Sequence, residues 1–220
     1  MSVTKPEIEG VSIVLVGSFN PAIFHPDWFA REKLIQNQEA EKADVQIVSK
    51  EASFFSIGWL NLEILQEKFT VSTSQIQHLD SMRDLVIGTF KLLRHMPVKQ
   101  LGINRTAHFR ADSALTWHAL GHRLAPKEPW AGLLEGPGML RVMMMGNRPD
   151  GFQGRIIVTV EPSVRLAPGV GVFVDVNDHF EIAVDGNALE SERMMEILAA
   201  TWQDSLDRAM HIMQGVIKTQ

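Results

Sequence analysis

The chain has 220 residues, 45% hydrophobic and 21% charged, the balance of an ordinary globular protein long enough to bury a core, which excludes a disordered polymer. It has no cysteine, so disulfides, thiolate nucleophiles and cysteine-ligated zinc are excluded. Net charge is −5: Lys+Arg against Asp+Glu run 12 and 12 over residues 1–110 but 9 and 14 over residues 111–220, and no basic stripe of the kind nucleic-acid binding demands is visible.

No apolar run approaches the roughly 20 residues needed to cross a bilayer. Met1 to Gly10 carries one lysine, two glutamates and no apolar core, so a signal peptide is not expected and a cytoplasmic location is. The first strand is expected over Val11 to Phe19, rich in β-branched residues, and Asn20-Pro21 breaks it. Pro26-Asp27 offers a helix start with Asp27 as cap, and Gln36 to Asp44 reads as helix end plus loop. Val45 to Glu51, Phe54 to Gln66 and Lys68 to Gln75 are expected as three strands of an antiparallel meander. In the middle one, Trp59, Asn61, Glu63 and Leu65 face one way and Leu60, Leu62, Ile64 and Gln66 the other, which predicts a sheet covered on one side and partly open on the other.

Met82, Leu85, Val86, Phe90 and Leu93 recur at helical spacing, so Ser81 to Met96 is an amphipathic helix. Val98 to Arg110 then reads as strand and Ser113 to Leu124 as helix. An insertion follows from Lys127 to Gly138. Met139 to Asn147, Gly154 to Val160 and Gly171 to Val176 with Phe180 to Val184 form a second meander, with a turn at Arg148-Pro149-Asp150-Gly151. Leu189 to Ile217 closes the chain as one long helix. The order strand, short helix, antiparallel strands, long helix occurs twice, over residues 1–97 and 98–220. The expected fold is therefore α+β, a duplicated unit with a largely antiparallel sheet and both long helices on one face.

That order resembles the TATA-binding-protein-like architecture, in which a duplicated unit makes one curved sheet backed by two long helices. The chain also looks like a sporadically distributed, uncharacterised family of bacterial proteins, where a strand–helix pair is followed by a strand of the form Leu-Gly-Ile-Asn-Arg, here Leu101 to Arg105. The resemblance implies a fold and no activity, and fold likeness alone does not imply DNA binding.

Several motifs suggest chemistry. Gly17-Ser18-Phe19-Asn20-Pro21 is similar to the opening of the nucleotidyltransferase signature. The histidines that should follow at about positions 23 and 26 are replaced by Ile23 and Pro26, and His25 is out of register. His118 and His122, four apart on a helix, share a face and would hold a metal with His108 from the preceding strand, or with Asp112. Ala119 stands where a metalloprotease needs its glutamate. Asp175, Asp178, Glu181 and Asp185 crowd an expected hairpin, Val174 to Phe180, which reads as a solvated acidic turn rather than a divalent-ion or acid–base site. No Gly-x-Ser-x-Gly elbow and no Gly-rich phosphate loop occur. Met143-Met144-Met145 in a strand would point to both faces, which predicts burial on both sides; the alternative is a soft, adaptable contact surface.

With no complete catalytic constellation, the leading reading is a non-enzymatic interaction or assembly subunit of a bacterial cytosolic system, without cofactor. Trp59, Asn61, Glu63, Met143 and Met145 are its expected partner surface, for another protein or a second copy. The runner-up is an enzyme using a divalent transition metal at His108, His118 and His122. Nucleic-acid binding through the sheet is third, disfavoured by the acidic balance.

Overall fold

Alternation of apolar and polar residues over nine short segments, with two long stretches of helical period, produces an α+β fold in the computed structural model, which describes residues 5–184 and 188–218. In chain order the elements are β1 (Ile8–Gly17), α1 (Pro26–Arg31), α2 (Asn37–Glu41), β2 (Asp44–Val48), β3 (Ala52–Ile57), β4 (Leu60–Leu65), β5 (Lys68–Thr73) and α3 (Leu79–Leu92). The second part comprises β6 (Val98–Arg110), α4 (Ala114–Leu124), β7 (Val142–Asn147), β8 (Gly154–Pro162), β9 (Gly171–Glu181) and α5 (Glu190–Ile217). All nine strands join one antiparallel sheet in the order β2-β3-β4-β5-β1-β6-β9-β8-β7. Within each part the first strand pairs with the last, β1 with β5 and β6 with β9, and the two parts meet along β1 and β6.

The two faces of the sheet differ sharply. Val11, Ile13 and Leu15 of β1, Leu101, Ile103, Ala107 and Phe109 of β6, and Val172, Val174, Val176 and Phe180 of β9 are buried on one face. Against it pack Met82, Val86 and Phe90 of α3 and Met194, Leu198, Trp202, Leu206 and Met213 of α5. The opposite face bears Ser12, Ser72, Asn61, Asn104, Asp175 and Asn177 and stays open. Thus the expected covered and open sides, and the two long helices on one of them, are observed.

Four departures from expectation have an identifiable cause. The segment Phe54 to Gln66 is two strands: Ile57 pairs with Leu60 across a two-residue turn in which Gly58 takes φ of 47°, a conformation that favours glycine. The buried positions change parity across the turn, from Ser53, Phe55 and Ile57 to Leu60, Leu62 and Ile64, and the expected single strand carried one parity through it. The helix α1 is capped by His25, whose Nδ1 accepts the amide of Asp27 at 3.2 Å, not by Asp27 itself. Part of the expected loop from Gln36 is the short helix α2, closed by a capping box in which Glu39 accepts the Gln36 amide at 2.8 Å. Finally, β9 runs unbroken through Asn177-Asp178, so the expected acidic hairpin is one continuous strand. The cause is Asp178, which points into the covered face and meets Arg148 and Arg208 there.

Candidate interaction surface

The open edge of the sheet at β7 is the feature with the clearest potential for recognition. Among the described residues this strand pairs only with β8, and its three methionines are largely exposed: Met143 at 59%, Met144 at 66% and Met145 at 68%. The expectation of burial on both sides is therefore corrected: among the described residues, Met143, Met144 and Met145 belong to neither hydrophobic cluster, on the outermost strand of the sheet. The preceding chain adds exposed apolar side chains, among them Trp130, Leu133, Leu134 and Leu140. A flat edge with unpaired backbone groups and flexible thioether side chains is a template for pairing with another chain.

The other edge, β2, is built differently. A register irregularity between Val45 and Ile47 interrupts its ladder, and Asp44 opens it with a charge. Bulges and charges are the usual means by which edge strands avoid pairing. From Val142 to Asn147, β7 has no charged residue, and its register with β8 is regular throughout.

On the open face, a single row of cross-strand neighbours runs Met145, Ile157, Asn177, Asn104, Ser12, Ser72, Asn61. Met143, Met145, Asn61 and Glu63 thus share this face. They do not form one patch, because six strand spacings separate Met145 from Asn61, roughly 29 Å at about 4.8 Å per strand. Trp59 is removed from the set. It sits in the β3–β4 turn, stacks on His78 with ring centroids 4.8 Å apart, donates its indole N–H to Glu39 at 3.4 Å and packs on the core.

The three histidines of the metal reading are not brought together. His108 is 7% exposed on the open face, 4.8 Å from the Phe173 ring, with Nδ1 at 2.8 Å from Ser163 Oγ. Ser163 Oγ already accepts the amides of Arg165 and Leu166 at 3.1 Å, so its O–H donates to His108. Burial and then the nearby Arg165 charge push the His108 imidazole below its ordinary value, which leaves it neutral at pH 7. His118 and His122 stand exposed on α4, which packs through Leu120 on the covered face; His122 lies 3.0 Å from Glu128. Alternation in β6 sends His108 to one side of the sheet and its neighbours Ala107 and Phe109 to the side of α4, which is why helical spacing alone misled. Among the described residues, no three His, Asp or Glu side chains converge in a way that would hold a metal ion.

The acidic cluster also disperses. Asp178 is 1% exposed on the covered face, paired to Arg148 and, at 2.8 Å, to Arg208; Asp150 joins both arginines at 2.6 and 3.0 Å. Asp175 faces the open side between Thr106 and Thr159, and burial, then the neighbouring Glu161 charge, raise its carboxyl to about 6. Glu181 is held below the ordinary range chiefly by the hydrogen bond from His179 at 2.9 Å, against its burial. Asp185 lies outside the described residues. In the Gly17 to Pro21 segment, Asn20 Oδ1 accepts the Ala22 amide at 3.2 Å, and β1 lies between antiparallel strands rather than in a parallel nucleotide-type sheet.

No protein-family model matches the chain, and no curated protein matches it.

Proposed function

We propose that the protein is a non-enzymatic interaction or assembly subunit that works through its β7 edge, pairing with a partner chain or a second copy in a multi-protein system of the bacterial cytosol. The observation that carries this reading is Met143-Met144-Met145 on an open, regular, uncharged edge strand. Methionine gives the edge adaptable apolar contacts, and the unpaired backbone supplies direction and register. The exposed leucines before β7 extend the contact area beyond one strand. The reading includes an internal duplication of the TATA-binding-protein-like kind, supported by the matched first-to-last strand pairing in each part.

The test is Met144→Lys. An exposed strand substitution of this kind leaves folding stability within about 0.5 kcal/mol, while a lysine on the edge opposes pairing. The wild type is expected to show a mass above its 24.6 kDa chain in light scattering, or to copurify with a defined partner, and the variant to lose whichever is seen. A monomer that copurifies with nothing, unchanged in the variant, contradicts the reading.

A further inference from the structure

Away from the β7 edge, a cavity of about 390 Å³ lies between α4, the 127–139 segment and the ends of β8 and β9. Trp117, Leu120, Met139 and Val172 give it apolar walls, and His118, Lys127 and Glu161 are its polar side chains. The Trp117 ring is fixed in place because its indole N–H donates to the Gly171 carbonyl at 2.9 Å. The size matches sites that enclose small molecules, which are apolar with a few polar groups setting orientation.

Three glycines contribute to the lining, one of them, Gly136, at φ of 59°, a conformation that itself favours glycine. Gly121, Gly136 and Gly138 all line the cavity, and a Cβ built on any of them would meet nothing within 4 Å. Gly121 is the informative one. It sits inside α4, where glycine costs about 1 kcal/mol relative to alanine, yet no close approach of another element requires it. A side chain added at Gly121 would thus enter free space at the cavity wall.

Charge narrows the occupant. Lys127 lines the cavity and has no ion-pair partner among the described residues. Glu161, the acidic residue on the wall, is already held by Arg141 at 2.7 Å. The cavity therefore offers an apolar body site with, among the described residues, one lysine free of an ion pair and one imidazole, His118. We propose that it binds a small lipophilic carboxylate, with its hydrocarbon or aromatic body against Trp117 and Met139 and its carboxylate paired with Lys127. This site is separate from the β7 edge and stands or falls independently of the assembly reading.

Calorimetric titration of the full chain with 1-naphthoate, and with the uncharged 1-naphthalenemethanol, tests the proposal. Saturable one-site binding of 1-naphthoate is expected. Gly121→Leu, which fills the cavity with a better helix former, lowers affinity for both probes by at least about tenfold while the melting temperature stays at or above that of wild type. Lys127→Gln lowers naphthoate affinity about fivefold and leaves the alcohol unchanged. Absence of saturable naphthoate binding at millimolar probe overturns the proposal. So does binding that Gly121→Leu leaves unchanged, since the probe then sits elsewhere, as on the β7 methionines. Equal affinity for both probes, indifferent to Lys127→Gln, overturns the carboxylate assignment.

Discussion

Asp178 on β9 and Arg208 on α5 meet at 2.8 Å on the covered face of the sheet, 30 residues apart in sequence and with the carboxylate 1% exposed. Arg148, also paired with Asp178, lies 3.5 Å over the Phe180 ring, and Asp150 bridges both arginines. Two carboxylates and two guanidiniums thus neutralise one another where β7, β9 and α5 converge. Removing one member leaves buried charge uncompensated, so Asp178→Ala is expected to destabilise the fold by about 3–5 kcal/mol. Urea unfolding monitored by circular dichroism measures it; a loss within the surface range of about 0.5 kcal/mol contradicts this account.

Two carboxyls make stability depend on pH in opposite senses. Burial raises the Asp150 carboxyl, but the hydrogen bond and charge of Arg148 and the charge of Arg208 outweigh it and hold it below its ordinary 3.8. Its contribution is present above that value and is lost as pH falls further. Asp175 is the reverse: raised to about 6, it favours the fold fully below 3.8, and this contribution is lost as pH rises through about 6. Together these two groups place the stability maximum near pH 3.8, where the Asp150 contribution is complete and the loss at Asp175 begins. Asp175→Asn removes the alkaline loss and should gain about 3 kcal/mol at pH 8 relative to wild type, since a rise from 3.8 to about 6 is roughly a hundredfold or slightly more in proton affinity and each tenfold change is about 1.4 kcal/mol. Unfolding free energies at pH 5 and pH 8 decide it; an unchanged pH dependence in the variant contradicts the assignment.

Trp202 joins the two long helices. Its side chain is 1% exposed, and its indole N–H donates at 3.1 Å to Asp80 on α3, which also receives Arg83 at 3.1 Å. Trp202→Ala is expected to cost about 3–5 kcal/mol through the cavity it leaves, whereas Trp202→Phe keeps most of the packing and loses about 1 kcal/mol with the hydrogen bond. Equal losses for the two variants in denaturant titration would show that ring packing contributes little here.

The fold was legible where side-chain pattern and environment agree. Met82, Val86 and Phe90 announce α3, and Leu198, Trp202 and Leu206 announce α5, because one apolar stripe per helix meets one apolar sheet face. Leu62 and Ile64 against Asn61 and Glu63 likewise forecast a sheet with one open side. Other features depended on distant partners. Asn177-Asp178 resembles a turn until Arg148 and Arg208 arrive, each 30 residues away, to neutralise the aspartate inside a strand. Met143 to Met145 resemble core until strand order places β7 at the rim, which no local signal specifies. The histidine set failed because helix α4 and the His108 side chain take opposite sides of the sheet. The glycine-lined cavity was invisible for a similar reason: Gly121 and Gly138 are close only after α4 folds over the 127–139 segment.

The central claim is that β7 is where another chain attaches. Placing a photoreactive benzophenone amino acid at position 145, and for comparison at the exposed Lys91 position on α3, tests it in intact cells. On irradiation, the account predicts a discrete covalent adduct from position 145, to a second copy or to one partner chain, and none from position 91. No adduct from position 145 above the level at position 91 would contradict it.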